Sequence, residues 1–211
     1  AQQAIRAFYQ CREAGFRNIS IDLMYGLPGE TLDTWKEDLQ QAIALHPEHI
    51  SAYHLIYEEG TTLWKLKEQH QVEETNEDLS LHFFHTLINT LNEAGYEHYE
   101  ISNFALPGHE AKHNSAYWKH IPYAGFGPGA HSLVLRGEDY VRQWNEPDLN
   151  RYLEDMEAVR EREELTDDQV VIEKIMLALR TSEGISSAYL HEHADPKALS
   201  KALVAGTLIP V

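Results

Sequence analysis

Within six residues, His113-Asn-Ser-Ala-Tyr-Trp118 gathers an imidazole, a carboxamide, a phenol and an indole. One helical turn sets residues i and i+4 side by side, so His113 falls near Tyr117 and Asn114 near Trp118. Such a cluster suits a flat, partly apolar ligand with polar edges. Its imidazole is also a ligand type for a metal centre. The plainer alternative is a loop pinned to its scaffold by Trp118.

Three other groups invite a chemical reading. Asp22 sits in Asn18-Ile-Ser-Ile-Asp-Leu-Met-Tyr25, where Ile19, Ile21 and Leu23 alternate with Ser20, Asp22 and Met24. One face of that strand packs under helices, and the other carries a carboxylate toward the strand's carboxyl end, the edge where α/β sheets and barrels bind ligands. His109-Glu-Ala-Lys-His113 matches the H-E-x-x-H zinc pattern. That chemistry needs both imidazoles on one helical face, and Pro107-Gly108 with no apolar helical pattern around it argue against a hydrolase. Gly125-Phe-Gly-Pro-Gly-Ala-His131 has glycine spacing, but not the phosphate-binding spacing between strand and helix. Close backbone approach to a ligand is the reading it supports. No Ser-His-Asp arrangement can be argued from spacing.

The elements that must position these groups follow from periodicity. A helix from the start ends at Gly15, and a strand covers 18–24. A helix over 32–45 buries Leu32, Trp35, Leu39 and Ile43 and is capped by Thr31; a second strand covers His49–Ile56. A short helix over 63–69 precedes a helix opened by Thr75-Asn-Glu-Asp78 as a capping box, with Leu79, Phe83, Leu87 and Leu91 on its stripe. Tyr96–Phe104 reads as a third strand, and Tyr123–Val134 as a glycine-rich approach to a fourth. Repeated βα units predict an α/β fold with a parallel sheet or barrel. A full eightfold barrel needs about 250 residues, so three or four strands are at most part of one.

Composition shifts near Gln143, giving domains over 1–142 and 143–211. The second reads as mainly helical and winged-helix-like. Its elements are an apolar stripe at Leu149, Tyr152, Leu153 and Met156, a solvated charged face over Glu154–Glu164, and a capping box at Thr166-Asp-Asp-Gln169. Helices near Ser187–His193 and after Asp195-Pro196 follow, then the start of a strand from Gly206.

Composition narrows the classes. A hydrophobic fraction of 43% supports a core. The net charge of −17 repels phosphate backbones, which argues against nucleic acid and against direct contact with anionic membranes. No apolar run reaches the roughly 20 residues of a membrane span. One cysteine, Cys11, at helical spacing from Ile5 and Phe8, fits a reducing compartment such as the cytoplasm, and alone it binds neither an iron–sulfur cluster nor a thiolate zinc site. The chain opens without Met, as a piece of something longer would.

These strings resemble a family. Ile21-Asp-Leu-Met-Tyr-Gly-Leu-Pro-Gly-Glu-Thr31, Pro47-x-His-Ile-Ser-x-Tyr53 and Glu59-Gly-Thr61 are similar to the oxygen-independent coproporphyrinogen III oxidase family of radical SAM proteins. Tyr99-Glu-Ile-Ser-Asn-Phe-Ala105 together with His113-Asn-x-x-Tyr-Trp118 resembles its HemW-type branch of haem chaperones. The resemblance implies the carboxyl-terminal strands of a partial radical SAM (β/α) barrel. It also implies a [4Fe-4S] cluster whose C-x-x-x-C-x-x-C ligands belong upstream of Ala1, and S-adenosylmethionine bound near Asp22, Ile56 and His131. His131 departs from the oxidase branch, where that position is apolar. The branch implies haem contact by His113, with Asn114, Tyr117 and Trp118 beside it, and transfer of haem to an acceptor protein. An unpaired sheet edge would favour association, including a homodimer. The alternative it implies is an oxidoreductase that decarboxylates the propionates of coproporphyrinogen III.

Overall fold

A computed structural model of the chain describes residues 2–154 and 159–209. The chain forms two compact units, Ala1–Ala111 and Lys112–Val211. The border predicted at 142/143 falls instead inside a strand, because the segments on either side of it pair into one sheet.

The first unit starts with α1 (Gln2–Glu13), whose Phe8 is buried. β1 (Ser20–Tyr25), α2 (Leu32–Ala44), β2 (His49–His54), α3 (Thr62–Glu68) and α4 (Glu77–Glu93) follow, then β3 (Glu97–Glu100) and β4 (Asn103–Ala105). The predicted helices over 32–45 and 63–69 are α2 and α3. α4 is capped by Asn76, which accepts the Leu79 N–H, and not by Thr75. Thr75 instead donates its hydroxyl to the Gly26 carbonyl at 3.2 Å.

The sheet order is β1-β2-β4-β3. β1 and β2 are parallel, as βα alternation predicts, and β1 is the sheet edge. The predicted single strand over 96–104 is a hairpin: β3 and β4 are antiparallel, and β4 also runs antiparallel to β2. Glu100 causes the fold-back. It is buried, and Asn103 donates its side-chain amide to the Glu100 carboxylate across the turn. α2 and α4 pack on one sheet face, where Tyr25, Trp35, Leu39, Ile50, Phe83, Leu87 and Phe104 form the core.

The second unit contains α5 (Lys112–Trp118), β5 (His131–Arg136), β6 (Asp139–Asn145), α6 (Leu149–Glu154), β7 (Val159–Glu164), α7 (Asp167–Ala178), α8 (Ser187–His193) and α9 (Pro196–Val204). β5-β6-β7 make a three-stranded antiparallel sheet, so the unit is not simply helical. The charged segment is indeed solvated at Glu161, Arg162 and Glu164, but as a strand, with Arg142 of β6 3.6 Å from Glu163 of β7. Charges on an edge strand oppose edge-to-edge pairing. The Thr166–Gln169 capping box is present, and α8 and α9 lie where predicted. Residues 206–208 form a turn rather than a strand. Met156 lies outside the described residues.

Candidate functional site

In the first unit, strand alternation divides the sheet into a packed face and a polar face. Asp22 pairs in register with Ser51, and Ser51 with Asn103, which in turn faces Glu100. A polar row therefore crosses the whole sheet. Ser51, Asn103 and Glu100 are buried, whereas Asp22, in the middle of the edge strand, is exposed. One row over, Ser20 Oγ lies 2.7 Å from His49 Nδ1, and His49 Nε2 lies 2.7 Å from the Tyr99 hydroxyl. Burial lowers the His49 pKa, partly offset by the charge of Asp22. Burial likewise pushes the Tyr99 phenol up to about 12. The face thus presents the exposed Asp22 side chain beside buried hydrogen-bonding groups. Ile56, just past β2, is 68% exposed.

The loop leaving β1 is already occupied by its own acid. Gly26 and Leu27 donate their N–H groups to Glu30 Oε2 at 2.6 and 3.1 Å. Burial raises the Glu30 pKa although both amides oppose it. His54 closes the other side: a Cβ on Gly26 would lie 2.7 Å from His54 Nε2, and Gly26 has φ +75°. Glu48 holds the strand entrances in the same way. It accepts both the Ile19 N–H at 2.9 Å and the Arg12 guanidinium at 2.8 Å.

In the second unit, α5 bears out the helical reading of His113 and Tyr117. The Tyr117 hydroxyl lies 3.0 Å from His113 Nε2, with the rings edge to face at 5.1 Å. Tyr123 extends the row, 4.7 Å from Tyr117, and is bridged to Leu133 of β5. His113 is exposed, while Asn114, Tyr117 and Trp118 are half-buried. Asn114 and Trp118 share a helix face by their spacing. Arg180 lies over the Trp118 ring at 5.1 Å. His131 is exposed at the start of β5 and stacks on Trp144 at 5.5 Å.

His109 and Glu110 precede α5, so the H-E-x-x-H string does not share a helical face. Among the described residues no three His, Cys, Asp or Glu side chains are placed to hold a metal ion. Cys11 is the chain's single cysteine, so these residues do not fit an iron–sulfur cluster.

Sequence spacing did not reveal a third group. His120 is buried with φ 54°, and its Nε2 donates to Glu173 Oε2 at 3.1 Å. Arg142 donates to both Glu173 oxygens at 2.7 and 2.8 Å. Burial pushes the Glu173 carboxyl up, but the hydrogen bonds from Arg142 and His120 outweigh it and hold the group below its usual 4.5. A depressed carboxylate stabilises the fold above its unfolded pKa and loses that contribution as pH falls through its folded value. Glu173→Gln is therefore expected to lower stability at neutral pH by about 1 kcal/mol. The gap from the parent chain should close below pH 4, at roughly the unfolded carboxylate range. Urea midpoints at both pH values check this; a gap independent of pH would refute it.

No family model matches the chain. The haem chaperone HemW of Bacillus subtilis is 34% identical over 184 residues, 85% of this chain and 48% of that protein. HemW of Lactococcus lactis is 35% identical over 176 residues, 82% of this chain and 45% of that protein. This chain is a homologue of the HemW proteins. The mitochondrial radical S-adenosyl methionine domain-containing protein 1 of Danio rerio is 31% identical over 202 residues, 91% of this chain and 44% of that protein. The chain therefore spans about half the length of the HemW relatives it matches. Among solved structures, coproporphyrinogen III oxidase HemN of Escherichia coli, a radical SAM enzyme, matches with a TM-score of 0.69. That match has 19% identity and covers 94% of this chain and 49% of that one. It shows the fold: an α/β chain similar to part of a radical SAM protein, with no closed barrel among the described residues.

Proposed function

We propose that this chain serves haem binding and haem transfer to an acceptor protein, as part of a HemW-type chaperone. One observation carries the reading: α5 displays an exposed imidazole, His113, set by Tyr117 and flanked by further aromatics. The arrangement fits haem. An imidazole supplies an iron ligand, and tyrosine and tryptophan rings suit a flat apolar macrocycle. Tyr117 holds the ring in one orientation, Asn114 offers a polar edge, and Trp118 backs the helix. Iron ligation through Nε2 would displace the Tyr117 hydroxyl. His113→Ala is accordingly expected to weaken haem binding by more than about tenfold. Tyr117→Phe is expected to retain binding, because it frees Nε2. Titration of the haem absorption band checks both, and unchanged binding in His113→Ala would remove His113 from the site.

Asp22 and Ile56, both in the first unit, are proposed contacts to S-adenosylmethionine in a protein of the relatives' length. Asp22 suits this role through its exposed side chain on the polar sheet face. Bound S-adenosylmethionine with a [4Fe-4S] cluster supplies radical chemistry. Cys11 alone cannot hold that cluster. The exposed edge of β1 supports association with another sheet edge, in a homodimer or otherwise. No helix among the described residues is long and apolar enough to cross a membrane. The single cysteine suits a reducing compartment, where we place the protein, in the cytoplasm, and the net charge of −17 argues against a nucleic-acid partner.

The fold shared with HemN favours one second reading, oxidative decarboxylation of coproporphyrinogen III. Carbon dioxide release in an anaerobic assay with reductant and S-adenosylmethionine would support it.

A further inference from the structure

α5 is too short to hold itself in place. It spans seven residues, none of them buried, and an isolated helix in water is marginal below roughly 12–15 residues. Its carboxyl end closes in a Schellman motif. Ile121 donates its N–H to the Ala116 carbonyl, and His120 donates its N–H to the Tyr117 carbonyl, both at 3.0 Å. His120 therefore occupies the position just past the cap that glycine commonly fills, and it does so with φ 54°. A side chain with a Cβ is strained there. His120 carries a second cost, because its Nδ1 is buried without a hydrogen-bond partner among the described residues. A strained residue that the fold retains points to a task for its side chain.

That side chain is where three elements meet. His120 is buried, its Nε2 donates to Glu173 of α7 at 3.1 Å, and its ring packs edge to face on Tyr140 of β6 at 4.7 Å. Glu173 is fixed in turn by Arg142, also on β6, at 2.7 and 2.8 Å. In the other direction, the His120 N–H holds the Tyr117 carbonyl, and the Tyr117 hydroxyl meets His113 Nε2 at 3.0 Å. The buried network and the exposed imidazole are thus joined through one residue, Tyr117.

Resting on the haem reading above, we infer that His120 is a positioning residue: bound to Glu173, it locks the carboxyl end of α5 and so fixes where His113 presents its ring to haem. His120 itself touches no ligand. It acts by preorganisation, removing orientations of α5 that would otherwise be given up on binding.

Three variants, each studied with and without haem, test this. His120→Gly removes the imidazole but suits the backbone. His120→Gln bears the same strain and keeps an N–H donor at the end of its side chain. Leu199→Ala truncates a buried residue of α9 in the same unit and serves as the stability control. In the haem-free chain, hydrogen exchange at the Lys119 and Ile121 amides is expected to be at least about tenfold faster in His120→Gly and near the parent rate in His120→Gln. Haem titration should show about fivefold to tenfold weaker binding in His120→Gly, recovery to within about twofold in His120→Gln, and no change in Leu199→Ala. Equal exchange in His120→Gly and the parent overturns the anchor, since the backbone cap then suffices. Faster exchange with unchanged haem affinity overturns its bearing on the ligand. A loss of haem affinity that Leu199→Ala reproduces, or that His120→Gln does not restore, also overturns it. The haem reading fails separately, if His113→Ala binds haem as the parent does; the exchange comparison then decides the anchor by itself.

Discussion

Trp35→Ala is expected to cost about 3–5 kcal/mol of unfolding free energy. That is a large share of the roughly 5–15 kcal/mol available to a folded domain. Trp35 is fully buried in α2 and stacks on Tyr25 of β1 at 5.3 Å. Its indole N–H also donates to the Phe83 carbonyl of α4 at 3.2 Å. One side chain thus links both covering helices to the strand that bears Asp22. Tyr25 in turn packs edge-to-face on His54, which closes the Gly26 loop. Removing the indole should therefore loosen the loop after β1 as well as the core. Trp35→Phe keeps a stacking ring and loses mainly the N–H bond, for an expected cost of about 1–2 kcal/mol. Urea denaturation followed by far-ultraviolet circular dichroism measures both. A loss below 1 kcal/mol in Trp35→Ala, roughly the size of a surface change, would show that the core tolerates the cavity.

What could be read beforehand depended on whether the determining contacts were local. Trp35, Leu39, Phe83, Leu87 and Leu91 recur at helical spacing, so α2 and α4 and their buried faces were legible. The caps at Thr31 and Thr166 carry their own local signatures. The alternation of Ser20, Asp22 and Met24 gave the polar face of β1 correctly. The fold-back between β3 and β4 was not legible, because it rests on Glu100 meeting Asn103 within a run that otherwise reads as one strand. β7 was missed for a related reason. Its residues Arg162, Glu163 and Glu164 carry no apolar alternation, since an edge strand with charged side chains needs none. The His120, Glu173 and Arg142 network joins residues 53 and 31 positions apart, which no periodicity records. The polar row from Asp22 to Glu100 had a partial signal in His49, Ser51 and Tyr53, spaced by two. Its extent depends on strand order, which spacing alone does not supply. The His113–Tyr117 pair was legible because the two residues meet within a single helical turn.

Gly125→Ala should distinguish two explanations of the glycine run before β5. The sequence suggests backbone approach to a ligand; the structure shows a close approach within the chain itself. A Cβ at Gly125 would lie 2.0 Å from the His131 carbonyl oxygen and 2.8 Å from its carbon. Both are backbone atoms, so no side-chain rotation relieves the overlap. The surroundings are fixed as well. Gly125 donates its N–H to Ser132 Oγ at 2.9 Å, and Tyr123 and Leu133 exchange two backbone hydrogen bonds at 2.8 and 3.0 Å. Asn145 holds the next turn through the Gly127 carbonyl at 2.9 Å. The methyl must therefore push β5 away from its approach segment, at an expected cost of about 3 kcal/mol. Gly127 provides the contrast. It has φ +106° but nothing within 4 Å of an added methyl, so Gly127→Ala meets backbone strain without a clash. Its expected cost is about 1–2 kcal/mol. Thermal unfolding should thus rank Gly125→Ala as the more damaging change, although its backbone angle is the ordinary one. If Gly125→Ala unfolds like the parent chain and only ligand binding suffers, the contact with His131 is not what requires glycine there. His131 and Trp144 supply a second readout, since displacement of β5 separates their stacked rings and should alter the Trp144 fluorescence.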